Sequence, residues 1–391
     1  MLKNKDKYLG LLIILVISGF VFYCTFLFQV WQSANPHVVS DVPFHVEFIL
    51  KFSSKHAFPA YSLWYRLVYA FSGFSDSYMV LASTSIILLT LLVSAKYLIS
   101  YYILSKDCSN KTMITLISFA LIFVMPVISY YSCSNTASVC INNVHVYLGN
   151  IAPNQWHNST LILAMPLNLI LFYFSVKNIK SEKLSSFIVI GGLTMISILC
   201  KPNYALAFIP VLCTVIFISN VKAQQYLRAI IKCSLIAFPA LLTLAYQWYS
   251  TYINNDLFAP GAKIIIAPFF VWSNYSPHIV ISLLLSVAFP ILVLLFYFRK
   301  MDSYLKLSWL TFIVATFIMA TFAEFPNWGA WNFLWGAIAA NYILFLYSAN
   351  LLLKQPIDWK SKLAYAVFGL HFVTGLLLLA GFFIGQKSLM L

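Results

Sequence analysis

The hydrophobic pattern of this chain is repetitive: long apolar runs alternate with short polar stretches that carry lysine and arginine. A helix needs about 20 mostly apolar residues to cross a hydrocarbon core. The runs predict spanning helices over 8–30, 78–104, 113–131, 160–176, 185–200, 203–219, 232–253, 278–298, 305–322, 333–353 and 363–385. That makes about eleven crossings. The expected fold class is all-α, a polytopic transmembrane helical bundle forming a single domain over 1–391, with no fixed-period repeat to divide it. The first run follows Lys3, Lys5 and Lys7 but exceeds a signal-peptide core and lacks a small-x-small cleavage site, so it reads as a retained helix.

One polar stretch, 31–77, is long enough to hold structure of its own. Residues 42–56 carry helical periodicity, with Asp41 in the N-cap position and Pro43 in the first turn, where its missing N–H costs nothing. At about 100° per residue, Asp41, His45, Phe48 and Phe52 share one face, while Glu47, Lys51 and Ser54 take the opposite, solvated one. A second segment, 60–72, is apolar and aromatic but too short to cross, and reads as a helix lying in the interface. Two juxtamembrane helices are therefore expected after the first span.

Composition agrees with a lipid environment, since 62% of the residues are apolar and 9% are charged. Charge then supplies an orientation. With the N-terminus inside, seventeen of the twenty-four Lys and Arg fall on one side, among them Lys106, Lys177, Arg228 and Lys354, and basic residues are retained on the cytoplasmic side. The net charge of +14 is scattered over small loops, which argues against a nucleic-acid partner. The same sidedness puts Asp41, Glu47, Asp76, Asp256 and Glu324 outside, with six of the seven His and eight of the ten Trp in or beside the outer loops. Cys133 and Cys140 bracket a polar part of the outer loop 132–159, where they read as a disulfide or as two free thiols.

Several outer residues carry chemistry, each with a structural reading beside it. Asp41, at the edge of an apolar face, reads as a general base or as a plain helix cap. His45, one turn on, reads as a phosphate or acid partner or as a packed ring. The Asp-x-x-x-His spacing is half a metal site, and no metal or other cofactor is expected. Lys201, locked by Pro202 at an outer corner, and Arg66, among Trp64, Tyr65 and Tyr69, are cations available to a lipid phosphate, or else snorkelling and headgroup-binding side chains. Trp156, His157 and Asn158 close a turn-rich stretch suited to sugar hydroxyls or to loop packing. Glu324 precedes Trp328, Trp331 and Trp335, which share a face if the segment is helical and read as a second wall or as interfacial anchors. Asp76 and Asp256 are reserve acids.

With a first outer loop of two interfacial helices, an acid in Asp41-Val-Pro-Phe-His45-Val-Glu47, a Lys201-Pro-Asn-Tyr corner, the Gly149-to-Asn158 stretch and ten or more spans, the chain resembles the GT-C superfamily of multi-span glycosyltransferases. The resemblance covers the whole chain in layout and a few residues in motif. It implies an inverting transfer of sugar from a polyprenyl-phosphate carrier to a glycan or glycolipid acceptor, such as O-antigen, on the periplasmic face of the inner membrane. The acid of the first outer loop, here Asp41, is the implied base. Lys201, Arg66 and His45 are implied at the donor phosphate, and His157, Trp156, Asn158, Glu324 and Trp328 at the sugars. The chain departs from the superfamily in lacking a second adjacent acid, since Glu47 lies on the other helix face. Two other readings stay open: a lipid-linked glycan polymerase or ligase, although Arg66 is the only outer Arg, and a lipid-linked sugar transporter or flippase, for which His371 is the only mid-span ionisable candidate.

Overall fold

The computed structural model describes residues 2–31, 40–55, 57–127, 140–141, 144–145, 148–253 and 261–384. In chain order the helices are α1 (Leu2–Trp31), α2 (Asp41–Ser54), α3 (Trp64–Phe71), α4 (Tyr78–Leu104), α5 (Lys111–Leu121), α6 (Ser159–Asn178), α7 (Leu184–Cys200), α8 (Asn203–Lys222) and α9 (Tyr226–Trp248). They continue as α10 (Phe270–Tyr275), α11 (Ile279–Ser286), α12 (Ala288–Tyr297), α13 (Ser303–Thr321), α14 (Leu334–Leu353) and α15 (Trp359–Ile384). Among the described residues the strands form two small antiparallel ribbons: β1 (Cys140–Ile141) with β2 (Val144–His145), and β3 (Lys263–Ile266) with β4 (Phe322–Phe325), the latter in a register that opposes Ile264 to Glu324. The chain is a helical membrane protein.

Among the described residues, eight helices are long and apolar enough to cross a bilayer: α1, α4, α6, α8, α9, α13, α14 and α15. The other three expected crossings differ. Helix α7 has 17 residues, just short of the length needed. Over 278–298 the chain bends by 68° between α11 and α12. Over 113–131 the helix α5 has only 11 residues, about 16 Å at 1.5 Å per residue, half a hydrocarbon core.

Irregular backbone at this depth persists only where protein satisfies it, and here that happens residue by residue. Met125 precedes Pro126, which disfavours helix there. The carbonyls of Leu121 and Val124 accept from Asn154 Nδ2 at 2.9 and 2.8 Å, and Ile122 O accepts from Trp156 Nε1 at 3.3 Å. In the second interruption Pro290 has no N–H to give to Ser286 O, four residues back, and Asn341 Nδ2 supplies one at 3.3 Å. His371 braces both breaks: Phe289 N donates to its Nε2 at 3.3 Å, and its Nδ1 lies 2.6 Å from Met125 O. That pairing requires the neutral tautomer with the proton on Nδ1.

Helix α14 is the axis of this arrangement. It is buried all round, as a helix enclosed by other helices should be. Its Asn341 also donates to Ile151 O at 2.6 Å, so segment 148–158 dips into the bundle. Asn154 in that segment accepts from Lys96 Nζ of α4 at 2.6 Å, and the same ammonium stands 3.6 Å from the Tyr342 ring centroid. The two ends of the bundle separate cleanly. Asp107, Asp302 and Lys354 form an ion-pair group at one end, joined by Asn350. Helices α2 and α3, segment 148–158, the α7–α8 corner and the β3–β4 ribbon meet at the other.

Candidate active site at one end of the bundle

Helix α2 begins one residue earlier than its periodicity predicts, and the difference matters chemically. Ser40 is the N-cap: its Oγ accepts from Val42 N at 3.2 Å and donates to Gln29 Oε1 at 2.6 Å, while Gln29 Nε2 donates to Trp156 O at 2.9 Å. Asp41 is therefore the first helical residue and not the cap. An acid there is favoured by the helix dipole, and its carboxylate is left available for other partners.

That partner is Asn158. Its Nδ2 donates to Asp41 Oδ2 at 2.7 Å, while its Oδ1 caps α6 by accepting from Leu161 N at 3.0 Å. Lys201 Nζ donates to the same Oδ1 at 3.2 Å and to Thr160 Oγ1 at 2.6 Å, and lies 5.0 Å from the Trp335 ring centroid. One amide thus stands between an acid and a cation. Asp41 and Lys201 feel each other electrostatically without closing into an ion pair.

Lys201 is held here from two directions. Ser62 Oγ donates to Cys200 O at 2.8 Å, Leu63 N to Leu199 O at 2.8 Å, and Gln247 Nε2 to Ala60 O and Ile198 O at 2.9 Å each. The link before α3 is thereby sewn to the end of α7, and Pro202 turns the chain into α8. Burial lowers the Lys201 pKa to about 7, with Asp41 pulling the other way. Two histidines complete the group. His45 is buried on α2, edge-on to Tyr65 at 5.5 Å, with no partner for Nδ1 among the described residues. Burial, opposed by Asp41 and helped by Lys201 and His157, pushes its pKa down to about 4. His157 meets the Trp335 ring edge-on at 6.4 Å and is also shifted down by burial.

A second acid stands at the same end. Glu324 on β4 accepts from Tyr252 OH at 2.6 Å and from Asn332 Nδ2, and Asn332 O accepts from Asn203 Nδ2 at 2.7 Å. Tyr61 and Tyr65 share a hydrogen bond, and Tyr61 senses Glu324 while Tyr65 senses Asp41. The tyrosine pair therefore lies within electrostatic reach of both carboxylates.

The structure brings Asp41, His45, His157, Asn158 and Lys201 close together, with Glu324 beyond the Tyr61–Tyr65 pair. Others do not join them. Trp156 turns inward against Phe22 and Phe123 at 6.3 and 6.4 Å, and its ring is a core residue. Arg66 is exposed over Phe58, because the short α3 turns Tyr65 inward and its successor outward. Trp328 meets Phe270 and Tyr275, and no single helical face unites it with Trp335: Trp331 is left-handed at φ 37° and α14 starts only at Leu334. Phe48, expected inside, is 40% exposed, and Glu47 is exposed as expected. Asp76 accepts from Ser53 Oγ at 3.3 Å and serves as a loop tie. Asp256, Cys133 and the Cys140 side chain lie outside the described residues. Sequence reasoning missed Ser40, Thr160, Tyr61 and Tyr252; the Ser40-Asp41 pair offered two capping residues in a row, and that was the available signal.

No family model, curated protein or solved structure matches the chain.

Proposed function

We propose that the chain is an inverting glycosyltransferase that moves a sugar from a polyprenyl-phosphate carrier to a hydroxyl of a glycan or glycolipid acceptor, working at the end of the bundle where Asp41 and Lys201 meet. The basic loops at the opposite end mark the cytoplasmic side, so the site faces outward across the inner membrane. The observation that carries this reading is the Asp41–Asn158–Lys201 arrangement: a carboxylate freed from capping and a cation held beside it, kept apart by an amide.

Asp41 accepts the acceptor's hydroxyl proton as the oxygen attacks the anomeric carbon from the face opposite the phosphate. The carbon–oxygen bond to phosphate breaks, and the electron pair leaves with the phosphate, whose charge Lys201 stabilises. Phosphate is a good leaving group and needs no proton in that step. His45 offers an unpartnered Nδ1 to the donor, His157 and Trp335 flank it, and Glu324 with Tyr61 and Asn332 forms the acceptor side. Deletion of the gene, complemented with wild-type or Asp41→Asn, tests this through surface glycan composition. The wild-type gene restores the missing sugar and Asp41→Asn does not; restoration by both removes the reading.

His371, the mid-span candidate for the transport reading, has both ring nitrogens engaged in bracing backbone.

A further inference from the structure

Helices α4 and α6 run side by side toward the basic end, and an apolar groove of about 310 Å³ lies between them. Leu98 and Ile103 line it from α4, Ile170 and Phe174 from α6, with Tyr102 and Tyr173 nearest the helix ends. The groove opens outward: Leu98 and Ile170 are each 39% exposed and Tyr102 is 47% exposed.

The two helices carry the same device at its mouth. Four residues past each tyrosine stands a lysine, Lys106 after Tyr102 and Lys177 after Tyr173. The Lys106 ammonium is 4.2 Å from the Tyr102 centroid, the Lys177 ammonium is 6.0 Å from that of Tyr173, and the two rings meet edge to face at 5.9 Å. Both lysines are exposed, and neither pairs with an acid among the described residues. The neighbouring acids are already taken: Asp107 receives Lys354 Nζ at 2.7 Å and Asn350 Nδ2 at 2.8 Å, and Glu182 pairs with Arg228.

We propose that this groove binds an anionic phospholipid, one acyl chain lying between α4 and α6 and the headgroup phosphate held by Lys106 and Lys177. Charge complementarity selects this occupant. Two cations with no acid partner among the described residues, above an apolar slot, match an anionic head on a hydrocarbon tail, and tyrosines at that level suit the interfacial zone between them. A second copy of the chain is disfavoured, since it would bring its own basic end against this one. The site is remote from Asp41 and independent of the glycosyl-transfer reading.

The test is native mass spectrometry of the purified chain with phosphatidylglycerol or phosphatidylcholine, coupled to photo-crosslinking by an acyl-chain diazirine probe on phosphatidylglycerol. The expected result is preferential retention of phosphatidylglycerol and crosslinks on Leu98, Tyr102, Ile170 or Tyr173. Lys106→Gln with Lys177→Gln weakens retention about thirtyfold, near 1 kcal/mol per lysine, while Lys222→Gln, on the same end outside the groove, leaves it unchanged. Ile170→Trp, which fills the slot and keeps both lysines, abolishes the crosslinks. Equal retention of the two lipids, an unaffected double variant, or crosslinks to a second copy of the chain would each overturn the proposal.

Discussion

Asn158 holds Asp41 with one end of its amide and Lys201 with the other: Nδ2 donates to Asp41 Oδ2 at 2.7 Å and Oδ1 accepts from Lys201 Nζ at 3.2 Å. A direct Asp–Lys pair would hold both charges in one contact, whereas the interposed amide orients each and leaves an open carboxylate oxygen. The same Oδ1 caps α6, so position and fold depend on one side chain.

Substitutions at Asn158 separate those two duties. Asn158→Asp keeps a capping oxygen for Leu161 N but sets a like charge against Asp41, so transfer falls more than tenfold with little change in melting temperature. Asn158→Ala removes the cap as well and costs about 1 kcal/mol of stability. Transfer assays and thermal unfolding of both variants in detergent check the split.

The response to pH follows from Lys201 and His45. With the Lys201 pKa at about 7, phosphate binding by the free protein weakens as pH rises through 7, and kcat/KM shows an alkaline limb there. Lys201→Arg, always charged, moves that limb up by more than one pH unit. His45, at about 4, is neutral throughout and adds no limb above pH 5. Stability carries the matching signs: both folded values lie below the unfolded ones, so the unfolded chain binds more protons in each window. Stability is lost as pH falls from 6.5 to about 4 through His45, and rises between about 7 and 10.5 as Lys201 loses its buried charge. Melting curves across pH, with His45→Gln and Lys201→Met, assign each window.

Eight of the expected spans and the two helices between the first and second of them were legible in the sequence, because apolar length and helical spacing are local properties. The approach of Asn158 and Lys201 to Asp41, by contrast, joins distant parts of the chain, and only the resemblance suggested it. What escaped was decided at long range. Residues 113–131 are as apolar as any true span, yet α5 stops at Leu121 because Asn154, Trp156 and His371 supply partners that no local window contains. Lys96 sits within the apolar run of α4, and its burial against Asn154 and Tyr342 is a long-range contact that no local pattern contains. Trp156 looked like a sugar platform from its polar neighbours, and only the packing of α1 against α5 turns its ring inward.

That stitching is testable through Asn154. Asn154→Leu strands the Lys96 ammonium and frees two carbonyls, and is expected to cost about 3–5 kcal/mol, the range for a buried charge deprived of its partner. Adding Lys96→Met removes the stranded charge and recovers part of the loss, a coupling read from the double-mutant cycle. Additive effects of the two changes would contradict the contact.

Gly375 reports on the same region from α15. A Cβ there would run into the Phe123 carbonyl, whereas one at Gly369 meets nothing within 4 Å. Gly375→Ala therefore destabilises the protein by at least 2 kcal/mol and Gly369→Ala leaves it unchanged, as thermal unfolding of the purified variants will show.

Transfer by the proposed route requires Asp41 as the base. The direct measurement is single-turnover transfer from a radiolabelled polyprenyl-phosphate sugar, in vesicles holding purified wild-type or Asp41→Asn protein matched for melting temperature. With Asp41 as the base, Asp41→Asn lowers the transfer rate at least about a thousandfold while donor binding is retained. Transfer by Asp41→Asn at the wild-type rate would contradict it.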